Sequence, residues 1–284
     1  MKSSDQMESI NPALHLSQSN LQDFIECPRR FQLKVIDNIS WPAAYLEPLS
    51  QLEQATVIGN KFHQLCQQFF TGIDPNFLSN RISDPNLKIM WESFLPIAKN
   101  IQTENLFAEI ILSSPFLGHQ LVAKYDLVLM TSDDRFIIYD WKTSNKKPAR
   151  TLLSQRFQTN LYPLIFVRSG YHIFKINHPS PESIIMIYWY PMSSDPEEIF
   201  PYSKKLYLEN INHLTKVIGE IDDLIDSADT FPLTTDKNQC RKCVYRSLCE
   251  RGNQAGDFDI FSEIDQEDLS NVHFELDNIN EVEF

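Results

Sequence analysis

The feature that most constrains this chain is a run of three thiols, Cys240-Arg241-Lys242-Cys243-Val244-Tyr245-Arg246-Ser247-Leu248-Cys249. Its C-x2-C-x5-C spacing leaves a four-sulfur site one ligand short. Two further cysteines exist: Cys66, in a stretch with helical periodicity, and Cys27, in Glu26-Cys27-Pro28-Arg29-Arg30-Phe31. Cys27 is the better fourth ligand, because Cys-Pro in a basic, loop-like setting suits a ligand position more than a core position. Thiolates select zinc or iron–sulfur clusters. Zinc usually draws its cysteines from two local pairs. A one-plus-three arrangement with ligands from both ends of the chain suits a cubane cluster, whose corners spread the ligands. Zinc and five free thiols stay open as alternatives. If Cys27 joins Cys240, Cys243 and Cys249, the chain's ends are tied together and the chemistry belongs to what lies between.

At 284 residues and 42% apolar content the chain can build one sizeable core. It has no apolar run of 18 residues, so no membrane span is expected. Nor does Met1-Lys-Ser-Ser-Asp-Gln-Met-Glu show a charged-then-apolar leader pattern. A cytoplasmic protein with reduced or metal-bound thiols is therefore expected. The net charge of −13 argues against nucleic acid until its distribution is considered. Ten of the 38 acids and none of the 25 basic residues lie in 257–284, leaving 28 acids against 25 bases elsewhere. The body is near neutral, and residues 257–284 read as an acidic solubilising tail. Its spaced Phe258, Phe261, Leu269, Phe274 and Leu276 would also suit docking on a partner or on the body.

Along the chain, Ser17 or Ser19 is a candidate N-cap for a short helix that delivers Cys27. Arg29 and Arg30 follow as candidate phosphate contacts. Ala55, Ile58, Phe62, Leu65 and Phe69 repeat at helical spacing over 54–70, with His63 beside the stripe. A second helix is expected over 86–102. Strands follow at Leu106–Leu112, Gln120–Met130 and Arg135–Lys142. Residues 151–168 read as a helix kinked or shortened by Pro163. Strands at Tyr171–Asn177 and Ile184–Tyr190 and a helix at Lys204–Asp226 complete the expectation.

The hairpin at Gln120–Lys142 carries the chemistry. Thr131-Ser-Asp-Asp134 is turn sequence. A loop centred on Asp133 sets Asp126 directly opposite Asp140, with Cβ atoms on the order of 5 Å apart. Two carboxylates so placed require a proton or a cation between them. Lys142, two residues past Asp140, shares its face, while Trp141 points into packing. Carboxylates with open water positions suit magnesium or manganese, and a neighbouring lysine can hold or deprotonate an attacking water. A buried Asp–Lys ion pair with no catalytic role is the alternative. Lys146, Lys147, Arg150 and Arg156 then form a basic stretch suited to a phosphate backbone.

Asp126, followed by Asp140-Trp-Lys142, resembles the acid and D-x-K signature of the PD-(D/E)XK nuclease superfamily. His63 resembles the histidine motif of its RecB-like branch, and Gln158-Thr-Asn-Leu-Tyr162 that branch's Q-x3-Y. The cysteines are similar to those of its iron–sulfur subgroup, which includes AddB-type repair nuclease domains and CRISPR-associated RecB-like exonucleases. The likeness runs from about Leu16 to Cys249. It implies an α/β, restriction-endonuclease-like mixed sheet flanked by helices, with the termini joined by a 4Fe–4S cluster on Cys27, Cys240, Cys243 and Cys249. It also implies Mg2+ or Mn2+ on His63, Asp126 and Asp140, catalytic work by Asp126, Asp140 and Lys142, and support or DNA contact from Gln158 and Tyr162. One departure stands out: the family often has a glycine two or three residues before the first aspartate, and here the sequence is Val122-Ala-Lys-Tyr125. Glu109, on the preceding strand, is a further candidate acid.

The expected organisation is an extension at 1–15, a nuclease domain at 16–256 and the tail at 257–284. The expected activity is metal-dependent hydrolysis of DNA phosphodiesters, as an exonuclease in repair, recombination or CRISPR adaptation. No G-x4-G-K-[ST] sequence is present, so any helicase action would come from a partner. A non-cutting DNA- or partner-binding module is the rival reading, and a redox protein built on the cluster is another.

Overall fold

The computed structural model describes residues 13–39, 51–101, 105–144, 146–227 and 229–252. The acidic tail at 257–284 and residues 1–12 of the expected extension lie outside the described residues.

Apolar residues on both faces of the hairpin strands demand a sheet covered on both sides. The described residues form one mixed six-stranded sheet. Its strands are β1 (His15–Leu16), β2 (Leu106–Phe116), β3 (His119–Met130), β4 (Phe136–Trp141), β5 (Ile184–Trp189) and β6 (Glu197–Pro201). β2 runs antiparallel along the whole of one edge of β3, from Phe116↔His119 to Leu106↔Leu129. The two-residue turn joining them, Leu117–Gly118, has φ of 48° and 83°, the paired positive values of the tight hairpin turn. β1 and β4 share the other edge of β3. β1 lies parallel at Gln120 and Leu121, and β4 antiparallel at Leu127–Met130. The sheet thus forks along β3, between residues 121 and 127. β5 is parallel to β4, and β6 closes the far edge antiparallel.

Helices cover both faces. On one, α1 (Gln18–Glu26), α7 (Phe157–Ser169) and α9 (Lys204–Ser227) bring Leu21, Phe24, Leu161, Phe166, Leu214 and Ile218 onto Val128, Phe136, Ile138 and Met186. On the other, α3 (Gln51–Phe70) and α5 (Pro85–Asn100) pack Phe62, Trp91 and Phe94 onto Leu127, Leu129, Trp141 and Trp189. Phe94 is fully buried, with Trp91, Trp141 and Trp189 rings 5.4–6.0 Å from its own. Helix starts follow capping chemistry: Ser17 accepts from Asn20 N–H at α1, and Asp84 accepts from Leu87 N–H at α5.

Three local expectations are corrected. The helix expected over 151–168 is two, α6 (Arg150–Gln155) and α7, broken at Arg156 rather than at Pro163. The break holds because α7's first turn caps α6. The Thr159 hydroxyl donates to the Leu153 carbonyl at 2.5 Å, and the Asn160 amide donates to the Ser154 carbonyl at 3.1 Å. Pro163 passes within α7, where the neighbouring Tyr162 carbonyl accepts the Tyr125 hydroxyl at 2.8 Å. Residues expected as a strand at Tyr171–Asn177 form the short helix α8 (Tyr171–Phe174), ended by Lys175 at φ 52°. Phe174 meets its apolar demand by packing on Phe107 and Phe136, at ring separations of 5.1 and 5.3 Å, with no ladder required. β6, which sequence periodicity did not single out, takes the sheet edge instead.

The two ends of the described chain are joined by hydrogen bonds. α2 (Pro28–Phe31) runs into a π-helical turn, Gln32–Ile36. The buried Gln32 amide donates to the Asp229 carbonyl and accepts the Phe231 N–H, both at 2.8 Å. The Tyr245 hydroxyl donates to the Ile39 carbonyl at 2.9 Å.

Candidate active site

Side chains two apart in a strand normally share a face, yet on β2 Ala108 packs in one core and Ile110 in the other. On β3, Leu127 and Tyr125 split in the same way. Both reversals fall at one level of the sheet, where the flanking pairs Ala108↔Leu127 and Ile110↔Tyr125 place Glu109 against Asp126. Glu109 has φ 53°, a left-handed conformation that costs a non-glycine residue about 1–2 kcal/mol. Such strain persists where the surroundings over-determine it, commonly at functional sites.

α3 supplies the third member of this group. The stripe that buries Phe62 and Cys66 holds His63 over the sheet, with Nδ1 3.1 Å from Asp126 Oδ1 and 3.8 Å from Glu109 Oε1. One ligand atom from each of His63, Glu109 and Asp126 lies within 4.8 Å of the others. Asp126 Oδ2 accepts the Trp141 backbone N–H at 2.7 Å, and Lys124 Nζ stands 2.5 Å from Glu109 Oε2. Burial alone would raise the Glu109 carboxyl, but the His63 hydrogen bond and the Lys124 ammonium hold it below the ordinary carboxylate value. Burial and the charges of Asp126 and Glu109 push the Cys66 thiol well up, so it stays protonated beneath the acids.

A second group adjoins the first through the Trp141 backbone. Lys142 Nζ lies 2.8 Å from Asp140 Oδ2 and donates to Gln158 Oε1 at 2.8 Å, while Gln158 Nε2 donates to Asp140 Oδ1 at 2.5 Å. Asp140 and Lys142 are each 2% exposed, and the ammonium sits 5.4 Å from the Tyr188 ring centroid. A charge this deeply buried is tolerable only when paired and hydrogen-bonded, and this closed ring of three side chains meets that demand.

The β3–β4 register is the one that a loop centred on Asp133 dictates, and Asp126 and Asp140 stand one step past its last pair, Leu127↔Tyr139. His63 and Asp126 converge with Glu109, whereas Asp140 is engaged by Lys142 and Gln158. Tyr162 is buried one turn beyond Gln158, its ring centroid 5.0 Å from that of Tyr125. Glu109 was legible only as a candidate acid. The signal for its place was the Leu117–Gly118 turn, which sets position 109 across from 126.

Several of the expected phosphate contacts have partners on the protein itself. Arg30 pairs with Asp23 at 2.7 Å and Glu26 at 2.5 Å, and Arg29 donates to Gln32 at 2.5 Å. Lys147 pairs with Asp195 at 2.8 Å and Glu198 at 3.3 Å. Arg150 pairs with Glu198 and lies 4.5 Å from the Phe200 ring centroid. Lys146 is exposed, and Arg156 stands at the junction of α6 and α7.

Cys27, Cys240, Cys243 and Cys249 line one pocket, together with Arg30, Tyr245 and Arg246. Burial raises the Cys243 and Cys249 thiols, and each also feels Cys27. Among the described residues no three of these sulfurs come within the 4.8 Å that joins His63, Glu109 and Asp126. Four thiols on one pocket are a soft donor set of the kind that holds a thiolate-bound metal centre.

A mixed sheet covered by helices, with a histidine–carboxylate group beside Asp-x-Lys on adjoining strands, is the arrangement of a nuclease-type fold. A sequence model of the PD-(D/E)XK nuclease superfamily matches residues 15–250, and the chain belongs to that superfamily. Uncharacterized protein UU146 of Ureaplasma parvum serovar 3 is 28% identical over 119 residues, 42% of this chain and 56% of that one. The chain thus spans about half the length of that curated relative. A crystal structure from Eubacterium rectale, described as a “putative exonuclease”, aligns over 93% of this chain and 99% of its own at 10% identity and a TM-score of 0.50. The crystal structure of SSO0001 aligns over 86% of this chain and 89% of its own, at 11% identity and a TM-score of 0.41. No helix among the described residues is long and apolar enough to cross a membrane.

Proposed function

We propose that this chain is a divalent-metal-dependent deoxyribonuclease, acting as an exonuclease. The observation that carries the reading is the contiguity of two groups. His63, Glu109 and Asp126 offer ligand atoms within 4.8 Å, and the buried Asp140–Lys142–Gln158 ring adjoins them through Trp141. His63, Glu109 and Asp126 would hold Mg2+ or Mn2+, with Asp140 beside them as the acid expected to complete the set. The cation supplies Lewis-acid polarisation of a phosphoryl oxygen and activation of water. Lys142, held by Asp140 and Gln158, orients the attacking water and offsets charge that builds on the phosphate. Gln158 fixes the lysine's direction, and Tyr162 anchors α7 on β3 through its carbonyl.

In the same reading residues 16–256 form the nuclease domain, between an extension at 1–15 and the acidic tail at 257–284. Cys27, Cys240, Cys243 and Cys249 hold a 4Fe–4S cluster as a structural staple, a reading supported by the pocket the four share. The protein acts in the cytoplasm, where thiols stay reduced, in DNA repair or CRISPR adaptation, with any helicase supplied in trans. Of the basic residues, exposed Lys146 is the readiest phosphate contact. Arg29, Arg30, Lys147, Arg150 and Arg156 would need to give up or share protein partners to serve.

The test is cleavage of end-labelled single- and double-stranded DNA with Mn2+ or Mg2+ by protein purified without oxygen, beside Lys142→Ala. Cutting by the native chain that disappears in the variant supports the nuclease. Absence of cutting by folded, cluster-loaded protein on every DNA form would overturn it in favour of a binding module.

A further inference from the structure

Glu109 divides its two oxygens. Oε1 faces His63, and Oε2 meets the Lys124 ammonium at 2.5 Å. The carboxylate side chain is 9% exposed and the lysine side chain 45%, so the ammonium reaches the acid group from the solvent side. Lys124 pairs in register with Ile111, which makes it the diagonal cross-strand neighbour of Glu109, a separation that long side chains span. Lys142 has no such freedom, being 2% exposed and closed in a ring with Asp140 and Gln158.

We propose that Lys124 is a resident counterion of the acid group, competing with a divalent cation for Glu109 until a substrate phosphodiester arrives. This rests on the reading of His63, Glu109 and Asp126 as the metal site. Glu109 and Asp126 bring two negative charges, and Lys124 offsets one of them. A divalent cation added to the same atoms sets three positive charges against two negative ones. A phosphodiester anion restores the balance and gives both cations an oxygen to face. Cation and substrate therefore bind with positive coupling, and Lys124 is the residue that couples them. The departure Val122-Ala-Lys-Tyr125 puts a cation at the position from which this can be done.

The experiment is a calorimetric Mn2+ titration of the full chain, with and without a short single-stranded phosphorothioate oligonucleotide. The wild type is expected to bind Mn2+ several-fold more tightly with the oligonucleotide present. Lys124→Met is expected to bind Mn2+ about fivefold more tightly than wild type without it and to lose most of the gain on its addition. Lys124→Arg is expected to behave as wild type. Mn2+ binding that is lost in Asp126→Asn but unchanged or weakened in a folded Lys124→Met would overturn the Lys124 proposal and leave the metal site standing. No Mn2+ binding by the wild type would overturn both.

Discussion

Asp126 takes the backbone N–H of Trp141 into its own carboxylate at 2.7 Å, one step beyond the point where the β3–β4 ladder stops. A side-chain oxygen thereby replaces a ladder carbonyl. The acid is fixed against the strand that carries Asp140 and Lys142, and its other oxygen stays turned toward His63. Any loss of this bond leaves a buried N–H unsatisfied, at a cost of about 1–3 kcal/mol. The same contact that aligns the site therefore also holds the fork in the sheet.

The buried Asp140–Lys142 pair predicts a split between stability and activity. Lys142→Met strands a buried carboxylate and should lower stability by about 3–5 kcal/mol. Adding Asp140→Asn removes the stranded charge and should recover most of that loss. Urea melts of the single and double variants check this, and neither variant should cut DNA. A double variant as unstable as the single one would show that the ring's energy does not lie in charge pairing.

Glu109 sits in a strained conformation beside a second acid, held by Lys124 and facing His63, so replacing it should separate its part in metal binding from its part in stability. Glu109→Asn tolerates φ 53° and removes one of two facing carboxylates. Relief of strain and loss of the Lys124 ion pair oppose each other, so stability should change by no more than about 1 kcal/mol, while Mn2+ affinity falls at least tenfold. Unchanged Mn2+ affinity would remove Glu109 from the ligand set.

Tyr125 is fully buried, and its hydroxyl serves the Tyr162 carbonyl beside Pro163. Tyr125→Phe leaves that carbonyl short of a partner and should cost about 1–2 kcal/mol. Cleavage rate at saturating metal should stay within about twofold, because the ring packing that seats α7 is kept. Thermal unfolding and a single-turnover assay separate the two effects.

At the cysteine pocket, the proposed 4Fe–4S cluster predicts that protein purified without oxygen carries iron and visible absorbance, and that Cys27→Ser loses both. The Gln32 and Tyr245 hydrogen bonds persist, so far-ultraviolet circular dichroism should stay near wild type while the melting midpoint falls. Full iron content in Cys27→Ser would exclude it as the fourth ligand.

Much of the fold was legible before the structure because local chemistry wrote it. The 3–4 spacing of Phe62, Leu65 and Phe69 gave α3, the apolar runs gave β3 and β4, and the turn at 131–134 gave their register. With register known, Asp126, Asp140 and Lys142 fell into one neighbourhood. The D-x-K and cysteine spacings carried the family likeness.

Other features depended on contacts between residues far apart in sequence. Tyr171–Phe174 has strand-like composition but folds as a helix, because Phe107 and Phe136 supply its apolar partners. Arg156 breaks a helix because Thr159 and Asn160 reach back to α6 carbonyls. The allotment of acids was likewise tertiary. Two strands reverse face at one level and turn Glu109 toward His63 beside Asp126, while Gln158 and Lys142 engage Asp140. Sequence periodicity determines which residues can share a surface. Which of them meet, and that Glu109 joins Asp126 at His63, is decided by strand register, burial and the neighbouring donors that engage the same oxygens.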